Sequence, residues 1–308
     1  MKTCIAAVLI ALGLVSCGAS TSSAVVRQAH HDTDGAHHDT DGPAGNAIRV
    51  VTTFSTLNSF VQAVGGSYVT VHNLVPIGAS PETYQPTPQD IATLAGAQLL
   101  VENGTGIEVW LQHTISTASN PNLRILILSD GLKHIDHNPH LWMDPVLASL
   151  YVGKVARALS LMDPSHGADY RRNAAAYQQK LAALQNEIAK SIDTIPPQRR
   201  TMIVFHNAWQ YYNDRFGIRT VGVIEVSPGQ EPNPAYIASL VDLARKYNVR
   251  AVFSEPEYSP KIAQTLAKSA GIRTVTDLYD DSIANNARVY DYISMLRYDT
   301  GVIVNALK

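Results

Sequence analysis

Two histidines and two carboxylates stand just past apolar, β-branched runs in this chain. His206 directly follows "RTMIVF" and Asp277 directly follows "RTVT"; His140 lies in the loop after "LRILIL" and Glu82 in the loop after "YVTVHNLV". Imidazole nitrogen and carboxylate oxygen are the donors of divalent transition-metal sites, and two of each make a sufficient shell for one ion. Taken singly, each has a plainer use: a histidine after a strand is commonly a surface or capping residue, and Asp277 alone reads as a helix cap or a turn holder. Four such placements at the carboxyl ends of four runs are harder to dismiss, because open α/β sheets receive their ligands there. Four more histidines, His30, His31, His37 and His38, alternate with Asp32, Asp34, Asp39 and Asp41 in "HHDTDGAHHDTDG". That repeat suits a loose chelator and suits a solvated linker about equally well.

The elements that must position these residues follow from periodicity. From Ile48 onward, short apolar runs such as "IRVVTTF", "YVTVHNLV", "QLLVENG" and "LRILIL" alternate with amphipathic segments such as "STLNSFVQAVGG", "TPQDIATLAGA" and "GIEVWLQHTIS". A second series repeats the alternation from "RTMIVF" to "RTVTD" and closes with a helix from about Ala287. The pattern predicts an α/β protein with mostly parallel sheets and helices on both faces. Between the series, a long Ala, Gln, Leu and Lys segment has Pro164 just inside its start and Pro196-Pro197 just past its end, as a helix with clear stop signals would. The expected architecture is two βα lobes, residues 48–163 and 197–308, joined by one long rigid helix over 164–196. Two of the four candidate ligands come from each lobe, so a cleft between the lobes would hold the ion.

The N-terminus reads as an export signal. Met1-Lys2 is positive, and the following "CIAAVLIALGLV" has the length of a signal-peptide core and is too short to span a bilayer as a helix. It ends in "LVSC", which resembles a bacterial lipobox, so residues 1–16 are expected to be removed and Cys17 to carry lipid. The chain contains two cysteines, Cys4 and Cys17. After cleavage no thiol is left for a disulfide or a thiolate metal site. Residues 17–47 are small and polar, with little to bury, and are expected to form a flexible tether reaching about 30 Å as a random coil. Twenty-four basic against twenty-six acidic residues give a formal net charge of −2, which offers no electrostatic footprint for nucleic acid.

Five ordered blocks carry a family resemblance: "VPIGASPETYQPTPQDIATLAGAQLLVENGTGIEVWL", "NPHLWMDP", "FHNAWQYYNDRFGI", "VFSEPEYSPKIAQTLAKSAGIRTVTDL" and "YDYISMLRYDTGVIVNAL". The chain resembles the zinc and manganese substrate-binding proteins of ABC transporters, the cluster that includes the pneumococcal-type adhesin lipoproteins, over essentially everything after the tether. The resemblance implies two βα lobes bridged by a rigid backbone helix, a monomer, a lipid anchor on the membrane and delivery of the ion to a membrane permease. It places the four ligands on Glu82, His140, His206 and Asp277. The first position departs from the family, which has histidine where "SPETYQP" has Glu82. Either Glu82 ligates through oxygen, or the other three hold the ion with water or a neighbouring loop histidine.

The resemblance also bears on the metal. Histidine at the third position, here His206, goes with zinc in that family, and "HIDHNPH", with His134 and His137, resembles a shortened version of the histidine-rich loop of zinc importers. Glu82 and Asp277 would instead make a harder shell that tolerates manganese or ferrous iron. Zinc is the first expectation and manganese the second, since the general order of affinities favours zinc. The competing reading is a zinc-dependent hydrolase, with Glu82 as general base beside a three-ligand ion. It has no H-E-x-x-H helix to support it, and Glu255 and Glu257 in "SEPEY" serve equally well as packing groups or as partners of the ligands.

Overall fold

The structure is a computed structural model that describes residues 47–308. The export signal, Cys17 and the tether histidines His30, His31, His37 and His38 lie outside the described residues.

Two four-stranded parallel sheets form the frame. The first contains β1 (Ile48–Thr52), β2 (Val69–Asn73), β3 (Leu99–Glu102) and β4 (Arg124–Ile127) in the order β2-β1-β3-β4. The second repeats the plan with β5 (Thr201–Val204), β6 (Arg219–Val223), β7 (Ala251–Phe253) and β8 (Arg273–Val275) in the order β6-β5-β7-β8. In each sheet the chain steps outward from the first strand on one side and then crosses to the other. A crevice therefore opens at the carboxyl ends beside β1 and beside β5, the topological switch points where such folds bind ligands. The connections are helical: α1 (Ser55–Gly65), α2 (Pro88–Gly96) and α3 (Leu111–Ala118) in the first lobe; α6 (Gln210–Phe216), α7 (Pro234–Lys246) and α8 (Lys261–Ala270) in the second. The two-lobed α/β reading of the sequence therefore holds.

Three further helices link the lobes. Helix α4 (Pro145–Met162) and helix α5 (Gly167–Ile192) pack along each other, and α5 also packs on α1 and on the last helix, α9 (Tyr292–Leu307). Helix α5 is 26 residues long, about 39 Å at 1.5 Å per residue. It buries Tyr170, Ala174, Tyr177, Leu181, Leu184, Ile188 and Ile192 on one stripe, the three-and-four spacing of a helix face turned to a core. Its start is set later than Pro164 suggests. Pro164 opens a single 3-10 turn, which Asp163 holds by accepting hydrogen bonds from Tyr170 Oη (2.8 Å) and His166 Nδ1 (2.6 Å). The last helix also starts later than the expected Ala287: Asp291 accepts from Ser294 N at 2.7 Å, Ser294 Oγ accepts from Asp291 N at 2.9 Å, and this reciprocal cap fixes the start at Tyr292.

The largest core cluster runs through both lobes. Phe54, Phe60, Trp142, Tyr151, Tyr292 and Met295 are all buried in it. Trp142 sits where the lobes meet: its ring centroid lies 4.9 Å from that of Phe54, and its carbonyl accepts from Tyr292 Oη at 2.6 Å. Each such buried side chain contributes on the order of 1.5–3 kcal/mol. A continuous core of this kind limits independent movement of the lobes.

Candidate metal centre

The loops after β2, β4, β5 and β8 bring metal-type donors together. Residues 138–140, after β4, are held first. Asn138 Oδ1 accepts from His140 N at 3.0 Å and lies 2.9 Å from His140 Nδ1. Because that oxygen already takes a main-chain N–H, it faces Nδ1 as an acceptor, so Nδ1 carries the proton and Nε2 keeps the lone pair. Asn138 in turn donates to Asn207 O at 2.6 Å, and Tyr211 Oη donates to Asn138 O at 2.8 Å. The asparagine thus ties the His140 loop to the second lobe. Asn103 Nδ2 donates to Pro139 O at 2.9 Å, and Glu108 Oε1 accepts from Asn103 N at 2.8 Å, so the loop after β3 braces the same turn from behind.

His206 follows β5 after a single residue and is 3% exposed. Its ring centroid lies 5.2 Å from that of His140. Asp281 lies between them, with Oδ1 3.4 Å from His140 Nε2 and Oδ2 3.9 Å from His206 Nε2. The segment carrying Asp281 is a crossover strap fastened to the first lobe. Trp142 Nε1 donates to Asp280 O (2.9 Å), Thr56 Oγ1 donates to Asp281 O (3.3 Å), and Gly78 N donates to Ser282 Oγ (2.8 Å). Glu82 completes the group, with Oε1 4.0 Å from His140 Nε2. Its turn is held by Trp110 Nε1 donating to Pro81 O at 2.7 Å and by Glu82 N donating to Ser80 Oγ at 3.2 Å.

The structure therefore brings together Glu82, His140 and His206 of the four expected residues and sets Asp277 apart. Asp277 is half-buried and accepts a hydrogen bond from Tyr298 Oη on α9. The geometric reason is the strap: the chain leaves β8, spends Asp277 on α9, and reaches the cleft four residues later, where it enters with Asp280 and Asp281. The doublet "DDS" was the available sign of this, an acidic pair inside an otherwise buried segment. Of the loop histidines, His134 faces Ser129 O (3.3 Å) and Thr105 Oγ1 (3.4 Å), away from the cluster. His137 lines the mouth, a cavity of about 150 Å³ shared with Glu82, His140, His206, Glu225 and Pro228.

The electrostatics are those of a site short of positive charge. Burial pushes the Glu82 carboxyl up, and the Asp281 carboxylate pushes it further. Asp280 is raised well above the usual carboxylate range by burial, with Glu255 and Asp281 adding to the shift. Burial and the carboxylates of Asp281 and Glu255 push Glu257 up to about 8. His206 moves the other way from an ordinary buried histidine: burial alone would lower it, but Asp280 and Glu255 outweigh burial and hold it well above its usual value. Asp281 stays low despite burial, because the imidazoles of His140 and His206 face its carboxylate. His140 Nε2, His206 Nε2 and both oxygens of Asp281 are buried without a hydrogen-bond partner. Buried polar atoms are nearly always satisfied, so four unpaired donors facing one another are what a cation site offers before its ion is counted. One donor atom from each of His140, His206 and Asp281 lies within 4.8 Å of the others, which fits a single ion.

Asn138 gives a direct check on this positioning. Asn138→Ala removes the acceptor that orients His140 Nδ1 and is expected to weaken metal affinity about 10–100-fold, the usual cost of losing a ligand's outer partner. A chelator-competition titration reads it, and an unchanged affinity would mean that His140 is not held by this bond when it meets the ion.

The fold and the donor set define a two-lobed α/β protein with a candidate metal centre where the lobes meet. Residues 50–306 match the family model described as ZnuA, zinc-uptake complex component A, periplasmic, and the chain belongs to that family. It is similar to the manganese-binding lipoprotein MntA of Halalkalibacterium halodurans, with 28% identity over 99% of each chain. It is also similar to the iron-binding protein YfeA of Yersinia pestis, with 29% identity over 83% of this chain and 85% of that one. A crystal structure of ZnuA superposes with a TM-score of 0.78 at 28% identity, covering 85% of this chain and all of that one. The chain is a metal-binding component of an ABC transporter and not an enzyme, which disposes of the hydrolase alternative.

Proposed function

We propose that this protein captures a divalent transition metal, zinc ahead of manganese or ferrous iron, through His140, His206, Asp281 and Glu82, and delivers it to the membrane permease of an ABC transporter. It does so outside the cytoplasm, tethered to the membrane by lipid on Cys17, a reading supported by the relatives MntA and PsaA, both of which are named lipoproteins. The observation that carries the reading is the set of unpartnered buried donors contributed by both lobes. Relatives named for zinc, manganese and iron leave the cargo to the donor chemistry. Two imidazoles suit zinc, and the general affinity order favours zinc over manganese and ferrous iron in a site that accepts them all.

The manganese reading has one observation in its favour, the second carboxylate of Glu82. If its oxygen ligates, Glu82→Gln removes a charge that helps neutralise the ion and should weaken binding strongly. Glu82→His exchanges a hard oxygen for imidazole and should keep tight binding while shifting preference toward zinc. Zinc- and manganese-induced rises in melting temperature rank the affinities, because an ion bound only by the native state adds about 2.7 kcal/mol at a hundredfold excess over Kd. Equal rises in wild type and both variants would put Glu82 outside the coordination shell.

A further inference from the structure

We propose that a second divalent cation binds on the far side of the His206 ring, held by His206 Nδ1, Glu255 and Asp280, so that one imidazole stands between two ions. The proposal rests on the interlobe reading above, since it takes Nε2 of the same ring as a ligand of the first ion. Nδ1 lies 3.5 Å from Glu255 Oε1 and 3.9 Å from Asp280 Oδ2, and one donor atom from each of the three residues falls within 4.8 Å of the others. Donors about 2.1 Å from a tetrahedral ion stand about 3.4 Å apart, close to these separations.

Acidic groups alone would not make a site. Here His206, 3% exposed, aims an unpartnered Nδ1 between two carboxylates that are each 1% exposed. Both oxygens of Glu255 and Oδ2 of Asp280 also lack partners. Glu255 comes from the loop after β7 and Asp280 from the strap after β8, so the pocket is built by the second lobe.

Charge accounting favours occupancy. Glu82, Asp281, Glu255 and Asp280 together carry four negative charges when ionised, and one divalent ion leaves two of them without compensation inside the protein, where unpaired charge is costly. A second divalent ion, bound with loss of the ring proton, cuts that excess from two negative charges to one. When it binds, the N–H proton of the ring passes to solvent and the imidazolate ligates through both nitrogens; no other bond is made or broken beyond the coordination bonds. Repulsion from the first ion makes the second one weaker. A histidine and two carboxylates suit zinc or manganese, so the same metal serves both positions.

Crystals of the full chain grown with excess zinc, with anomalous scattering recorded at the zinc edge, test this together with zinc titrations of wild type, Asp280→Asn and Glu255→Gln. The expected result is a peak on each face of the His206 ring. Each variant should hold one zinc fewer than wild type while still binding the interlobe ion, whose affinity should fall by no more than the 10–100-fold that loss of a ligand's outer partner costs. Comparing variants with wild type cancels any zinc taken by the histidine-rich tether. Asparagine at 280 still offers an oxygen to Asp281 N, the bond Asp280 Oδ1 accepts at 2.6 Å, and Glu255→Gln stands in should that variant misfold. A peak at Nε2 alone, with equal zinc in wild type and variants, overturns the second ion. No peak on either face overturns the interlobe reading itself.

Discussion

His206→Ala is expected to abolish tight metal binding, with a loss of at least about a hundredfold in affinity, or about 2.7 kcal/mol. The ring supplies a nitrogen to the ion, whereas loss of a ligand's outer partner alone already costs 10–100-fold. The metal-free variant carries a second signature in its pH dependence. The His206 pKa is raised above its ordinary value of about 6.5, so protonated His206 stabilises the metal-free fold fully below that pH and progressively less as pH rises through the folded value. Without metal, the variant should therefore be less stable than wild type in mild acid, with the gap closing as the solution becomes alkaline. The same proton competes with the ion, so wild-type metal affinity should fall as pH falls. Thermal melts with and without zinc across this range report both effects. A gap that widened with rising pH would contradict the assignment of His206 as the group held in its charged form.

Asp281→Asn and Asp277→Asn should differ sharply. Asp281 faces both imidazoles, and its exchange for a neutral amide removes a full charge next to a divalent ion, with an expected loss of about a hundredfold or more in affinity. Asp277 accepts a bond from Tyr298, and an asparagine oxygen accepts it as well, so affinity should hold and stability should fall by about 1 kcal/mol or less. Competition against a chelator of known affinity ranks the two. A loss at position 277 rather than 281 would mean that the strap after β8 is placed differently in the metal-bound protein.

The contrast between these two residues marks how far the sequence is legible. The alternation of apolar runs and amphipathic segments shows both sheets, because each strand is short, β-branched and followed by a polar loop. It also places His206, two residues past β5, at the carboxyl-end region, and it assigns Glu82 and His140, nine and thirteen residues past β2 and β4, to loops that open at that end. Asp281 lies six residues past β8, in a strap whose path depends on Thr56, Gly78 and Trp142 of the other lobe, and no local pattern encodes such a path. Helix α4 is not marked by periodicity for a different reason: Leu150 and Leu161 are exposed while Val152, Val155 and Leu159 are buried, so apolar residues mark no single face. Glu255 is legible only as a packing group or a partner of the ligands, and Asp280 not at all, because only the folded β7 and β8 loops bring them to the Nδ1 side of His206.

Elemental analysis of the full chain, purified from cells without added metal and dialysed against a weak chelator, bears most directly on the central claim. The account predicts zinc retained by wild type in at least one equivalent more than by an Asp281→Asn variant prepared in parallel. Equal metal content in the two proteins, or no divalent transition metal in either, would contradict it.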